Sequence, residues 1–155
     1  MRATVLTISS SIARGESEDV SGPALVELCE QAGLEVTHEV VSDDREQIKL
    51  ALARHADQLG ARFIFTTGGT GISSRDSTYE AVSALLWKRL DGFGELFRML
   101  SYEQIGSAAM LSRACAGLVA GRVVVALPGS EAAVRLAMER LLIPELGHLV
   151  REASR

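Results

Sequence analysis

An excess of positive charge is missing from this chain: 16 Lys and Arg stand against 20 Asp and Glu, for a formal net charge of −4. Binding to duplex nucleic acid needs clustered positive charge, so the balance argues against it as a general partner and leaves room only for a local basic pocket. Lysine is scarce, with Lys49 and Lys88 the only two. Cysteine is equally scarce. Cys29 and Cys115 stand alone in apolar surroundings, without CxxC or paired ligand spacing, and read as reduced core thiols of a cytoplasmic protein. No apolar run approaches the roughly 18 residues of a membrane span, which argues against a membrane partner. Met1 to Ser9 has a short apolar stretch but neither a longer h-region nor a small-residue cleavage site, so it reads as a first strand. His38, His55 and His148 have no metal-ligand spacing and read as structural or surface residues.

What is present is a globular composition, 47% hydrophobic and 23% charged over 155 residues, which fits one domain spanning 1–155. Short buried strands are expected at Thr4 to Ile8, Phe63 to Thr66 and Gly121 to Leu127, and a further strand at Leu34 to Val41. Helices alternate with them. One follows Ser21-Gly22-Pro23 and stops at Gly33; one opens at Ser42-Asp43-Asp44 with Ile48, Leu52 and Leu59 on its apolar face. A third is capped by Thr78 and broken at Asp91-Gly92-Phe93-Gly94, resuming over Glu95 to Gln104. A fourth runs through Val134 to Leu142, is kinked at Ile143-Pro144 and is followed by a short final helix. The alternation predicts an α/β fold of three α/β/α layers, a mainly parallel sheet with helices on both faces. Ligands in such folds sit at the carboxyl ends of strands, which nominates the loops Ser9 to Arg14, Ser42 to Asp44, Thr67 to Thr78 and Pro128 to Ser130.

Thr67-Gly68-Gly69-Thr70-Gly71 is the most informative of these. Three glycines in four positions would weaken a strand or helix, but they let backbone N–H groups converge on an anion, with Thr67 and Thr70 adding hydroxyls. The plain alternative is a tight strand–helix turn. The loop is neither a Walker loop nor a GxGxxG fingerprint. Arg75 is suited to phosphate oxygens and Asp76 to Mg²⁺; alternatively the two pair with each other, or Asp76 caps a helix. Asp43 and Asp44 offer a second carboxylate, or an N-cap. Gly129 permits close approach of a ligand while Ser130 also suits an N-cap, and Ser9, Ser10 and Ser11 offer further hydroxyls. Many phosphate donors beside two acidic positions suit phosphoryl or nucleotidyl transfer, where positioning and charge neutralisation dominate.

These motifs, in this order, resemble the MoaB/Mog family of molybdenum cofactor biosynthesis proteins over nearly the full length. Thr66 to Gly71 followed by Ser74-Arg75-Asp76 and Thr78-Tyr79-Glu80-Ala81 is similar to the family's TTGGTG…PRDxTPEA. Asp19 with Ser21-Gly22 resembles its DxSG, Gly92-Phe93-Gly94-Glu95 its GFGE, nearer the MoaB branch, and Leu127-Pro128-Gly129-Ser130 its LPGxP. The resemblance implies a molybdopterin-binding fold and molybdopterin adenylyltransferase activity, with ATP and molybdopterin as substrates and Mg²⁺ as cofactor. It implies Asp43 and Asp76 as catalytic and metal-holding positions. It places Gly68 to Gly71 at the pterin phosphate, and Pro128, Gly129 and Ser130 in a second ligand loop. It also implies trimers, or hexamers built from trimers, and the molybdate-inserting enzyme as a partner. Departures from the pattern are Ser42, Ser74 and Tyr79 where the family has proline, Glu131 in LPGxP, and Ser11-Ile12 in place of an acidic–basic pair. They keep a second reading open, a non-catalytic molybdopterin-binding or cofactor-handover protein. A third is a nucleotide-binding module unrelated to molybdenum.

Overall fold

Successive residues of the central strands alternate between two apolar layers, as the period of two of an extended chain requires. In the computed structural model, which describes residues 1–57 and 60–155, strand β1 (Arg2–Ile8) sends Ala3 and Val5 to one layer and Leu6 and Ile8 to the other. Strand β3 (Phe63–Thr67) divides Phe63 and Phe65 from Ile64, and strand β6 (Arg122–Leu127) divides Val123, Val125 and Leu127 from Val124 and Ala126. A sheet apolar on both faces must be covered on both, which yields the expected three layers.

The sheet has six strands in the order β2-β1-β3-β6-β5-β4, where β2 is Glu35–Val41, β4 Lys88–Arg89 and β5 Cys115–Val119. The first four pair in parallel; β5 and β4 run antiparallel at the edge. The helices are α1 (Ser10–Ala13), α2 (Ser21–Gln31), α3 (Arg45–Asp57), α4 (Thr78–Leu85), α5 (Asp91–Ile105), α6 (Glu131–Ala137) and α7 (Leu146–Ala153). Turns of π and 3₁₀ type at Met138–Leu142 and Ile143–Glu145 join α6 to α7, matching the predicted kink at Pro144. No helix is long and apolar enough to cross a membrane among the described residues. Leu59, assigned above to the face of α3, lies outside the described residues.

Three sequence expectations are corrected. Asp91-Gly92-Phe93-Gly94 is the first turn of α5, and the break lies before it, at β4. An acidic residue suits a helix start, and a Cβ at Gly94 would lie 3.0 Å from the Ala114 carbonyl oxygen. Strands β4 and β5 were not expected at all. Thr78 does not cap α4: it is the buried first residue of that helix, and its hydroxyl donates to the Gly68 carbonyl.

On α5, Phe93, Phe97 and Leu100 are buried, whereas Leu96, Met99 and Tyr102 are exposed. Cys29 and Cys115 are free and buried, as expected, and burial pushes their thiols up to about 12 and about 11. His55 is also buried, held between the Thr4 hydroxyl at 2.9 Å and the Glu39 carboxylate at 2.7 Å, which makes it structural.

Candidate active site

The four loops nominated from the sequence meet at the carboxyl end of the parallel strands, and the glycine loop between β3 and α4 is their centre. Gly68 has a φ of +105°, a backbone region glycine alone adopts readily, and a Cβ there would stand 2.4 Å from the Ile8 carbonyl oxygen. Its N–H donates to the Leu127 carbonyl at 2.9 Å, continuing the strand pairing into the loop. Beyond it four successive carbonyls are hydrogen-bonded. The carbonyls of Gly68 and Gly69 accept from the Thr78 hydroxyl and N–H, and those of Thr70 and Gly71 accept from the Arg113 N–H and Nε. The N–H groups of Gly69, Thr70 and Gly71 donate to no protein group among the described residues. Carbonyls tied to protein donors and N–H groups left uncommitted form an arrangement that suits an anion.

Arg113 was not singled out from the sequence. Its guanidinium donates to Gly71 O at 2.9 Å and Asp76 O at 3.0 Å, and forks onto the Glu80 carboxylate at 2.8 and 3.0 Å. It ties the end of the glycine loop and the Asp76 turn to Glu80 of α4. Its partners lie 33 to 42 residues away in the chain, so no local pattern announces the role. Arg45, at the start of α3, was also missed; it lines a 390 Å³ cavity with Asp76, Ser73 and Arg113. That cavity places the end of the β2–α3 connection beside the Asp76 loop.

The two expected acids sit in this frame. Asp43 Oδ1 accepts from the Ser10 hydroxyl at 2.7 Å, and the Ser10 oxygen accepts from the Asp43 N–H at 3.1 Å. Ser10 therefore orients Asp43. Asp44 supplies the N-cap of α3, its carboxylate accepting from the Gln47 N–H. Asp76 Oδ2 accepts from the Ser73 N–H at 2.9 Å, and Gly71 makes room for that carboxylate, since a Cβ there would come within 2.7 Å of it. The internal Arg75–Asp76 pair considered above does not form: Arg75 is exposed and has no hydrogen-bond or ion-pair partner among the described residues. Glu16 lies close enough that Arg75 adds to the larger effect of Arg14 in holding its carboxyl below the usual range.

Other nominated residues build the frame. The buried Thr67 hydroxyl lies 2.9 Å from both Ser21 Oγ and the Pro128 carbonyl, tying α2, β3 and the loop after β6 together. Ser9 caps α1 by accepting from the Ile12 N–H, and Ser130 caps α6 by accepting from the Ala133 N–H. Gly129 packs against the glycine loop; a Cβ there would lie 3.4 Å from Gly68 Cα. The helix start at Ser21 is served by Asp19, whose carboxylate accepts from the Gly22 N–H at 2.9 Å. Glu131 is exposed and paired with Arg135 at 3.0 Å on its own helix.

Asp43 and Asp76 each have one carboxylate oxygen with no hydrogen-bond partner among the described residues. No three His, Cys, Asp or Glu side chains converge as a metal cage among those residues. This donor set fits a Mg²⁺ ion held by one or two carboxylates and completed by substrate phosphates and water.

A family model described as "Probable molybdopterin binding domain" matches residues 4–148. The molybdenum cofactor biosynthesis protein B of Bacillus cereus is 51% identical, over 100% of this chain and 92% of that protein. A crystal structure of a molybdenum cofactor biosynthesis protein B superposes with a TM-score of 0.92 at 51% identity, covering 99% of this chain and 96% of the other. The tungsten cofactor synthesizing protein MoaB from Pyrococcus furiosus also superposes at 0.92, with 40% identity and coverage of 99% and 97%.

Proposed function

Because the chain belongs to the molybdopterin-binding family of molybdenum cofactor biosynthesis proteins, we propose that it transfers the adenylyl group of ATP to the terminal phosphate of molybdopterin. The observation that carries this reading is the glycine loop, with its carbonyls held by Thr78 and Arg113 and three successive N–H groups uncommitted. In the reaction a phosphate oxygen of the pterin attacks the α-phosphorus, a new P–O bond forms, the bond to the β-phosphate bridging oxygen breaks, and pyrophosphate leaves. Both reactants are anionic, so their approach depends on fixed donors. The N–H groups of Gly69, Thr70 and Gly71 receive one phosphate, and the exposed Arg75 and Arg45 approach the second from the rim. Asp43, fixed by Ser10, and Asp76, fixed by Ser73, would hold Mg²⁺. When bound, that ion neutralises developing phosphate charge.

The non-catalytic reading draws on the departures in the site loops. The Glu131–Arg135 pair softens one of them, because Glu131 faces a cation on its own helix, although an exposed pair of this kind is weak. The uncovered face of Leu96, Met99 and Tyr102 supports assembly into a trimer or hexamer.

The test is pyrophosphate release from ATP and Mg²⁺ with and without molybdopterin. Release should require the pterin and fall by about 100-fold or more in Asp76→Asn and in Asp43→Asn, as expected for loss of groups acting on transition-state charge. Pterin bound tightly by the native protein without any release would establish the carrier reading instead.

A further inference from the structure

A second cavity, of about 290 Å³, shares Arg113 with the Asp76 cavity and lies between the start of α5 and the edge strands β4 and β5. Arg89, Arg98 and Arg113 line it together with Tyr79, Ser112 and Asp91. Its charges do not cancel. Arg89 is held by Asp91 at 3.1 Å, an exposed pair of little strength, and Arg113 by Glu80. Arg98 is half-buried and has no carboxylate within 4.0 Å among the described residues; its Nη1 donates to the carbonyls of Ala114 at 2.9 Å and Ser112 at 3.4 Å. A neutral donor would satisfy two carbonyls equally well, so the positive charge of Arg98 is in excess of that task.

Two further observations place the three cations around one space. The guanidinium carbons of Arg89 and Arg113 lie 5.8 and 5.1 Å from the centroid of the same Tyr79 ring. Around Cys115, at the wall of the cavity, burial raises the thiol while Arg89, Arg98 and Arg113 each pull it back down. The hydroxyl oxygens of Ser112 and Tyr79 already accept, from the Ala114 N–H and Arg89, which leaves their own protons free to donate. The cavity thus presents guanidinium forks and O–H donors with a surplus of positive charge, and several times the roughly 30 Å³ share of one water.

We propose that this cavity is a binding site for a tetrahedral oxyanion of the phosphate, sulfate and molybdate type, separate from the cradle formed by the glycine loop. Guanidinium groups bind such an anion through paired N–H donors, which Arg98 and Arg89 can offer here, while Arg113, its fork committed to Gly71, Asp76 and Glu80, adds a wall to the space. Arg98 is the central contact, Arg89 the outer one, and Arg113 forms the wall shared with the Asp76 cavity.

The test is calorimetric titration of the full-length protein with sodium phosphate, sulfate and molybdate at fixed ionic strength, with nitrate as the monovalent control and neither ATP nor pterin present. It therefore stands or falls independently of adenylyl transfer. Saturable binding of at least one dianion is expected, weakened about tenfold or more in Arg98→Gln and several-fold in Arg89→Gln, and unchanged in Arg2→Gln, a surface residue at the opposite end of β1 from the glycine loop. Comparing the three anions identifies which of them the cavity prefers. Arg89→Gln does not touch the 112–114 segment, so it keeps the test valid should Arg98→Gln disturb the fold. No saturable binding up to about 10 mM, equal affinity in the Arg89 variant, or loss in Arg75→Gln would overturn the proposal, the last by placing the anion in the glycine loop.

Discussion

Replacing Gly68 by alanine is expected to lower the melting temperature by about 6 to 12 °C and to remove nearly all turnover. Two costs combine. At a φ of +105° an alanine is strained by about 1 to 3 kcal/mol, and its Cβ would meet the Ile8 carbonyl oxygen at 2.4 Å. That oxygen belongs to a central strand and cannot rotate away as a side chain could. The loop must shift instead, carrying the N–H groups of Gly69 to Gly71 with it, and a misplacement of about 1 Å can cost on the order of 100-fold in rate. Gly33→Ala is the control. Its φ is also positive, +86°, but nothing lies within 4 Å of a Cβ there. It should lose only the strain and leave turnover unchanged. Thermal unfolding and pyrophosphate release on the same samples check both statements, and a Gly68→Ala protein as active as the Gly33→Ala protein would contradict them.

The second large effect is expected at Arg113. Arg113→Met removes the donors to Gly71 O and Asp76 O and leaves the half-buried Glu80 carboxylate without its partner. With both charges about one-third exposed, the stability loss is put at about 2 kcal/mol, below the figure for a fully buried pair. The effect on turnover should be larger, about 100-fold, because the clamp sets the direction of the uncommitted N–H groups. Arg113→Lys separates charge from geometry. Lysine restores attraction to Glu80 but has no planar fork to span two carbonyls and a carboxylate, so it should recover stability and little of the rate. Recovery of the full rate in Arg113→Lys would show that charge alone matters and that the clamp does not position the loop.

The layered architecture was legible because it rests on local patterns. Phe63-Ile64-Phe65 and Val123-Val124-Val125-Ala126 are continuous apolar runs, and such runs between amphipathic stretches indicate parallel strands buried on both faces. The glycine loop was legible because three glycines have few other uses after a buried strand. The antiparallel edge was not. Strand β4 has two residues, both exposed, and carries no periodicity to read. Thr78 has the composition of a cap, yet its hydroxyl is directed to Gly68, ten residues back, by the tight approach of the glycine loop. In the sequence Ser10 reads as one of several hydroxyls open to a ligand, and only the folded structure reveals that it bonds Asp43, 33 residues away. In each case the deciding partner is distant in sequence, and composition cannot identify it.

The central claim is that one site brings a pterin phosphate to the α-phosphorus of ATP. Following labelled phosphorus tests it most directly. Protein, Mg²⁺ and molybdopterin would be incubated with ATP labelled at the α-phosphorus and, separately, at the γ-phosphorus, and the pterin, nucleotide and pyrophosphate fractions separated. The account predicts that α-label enters the pterin fraction in step with pyrophosphate release, that γ-label leaves ATP only as pyrophosphate, and that neither change occurs in Asp76→Asn. Label from the γ-position in the pterin, or α-label confined to the nucleotide while pterin is bound, would contradict it.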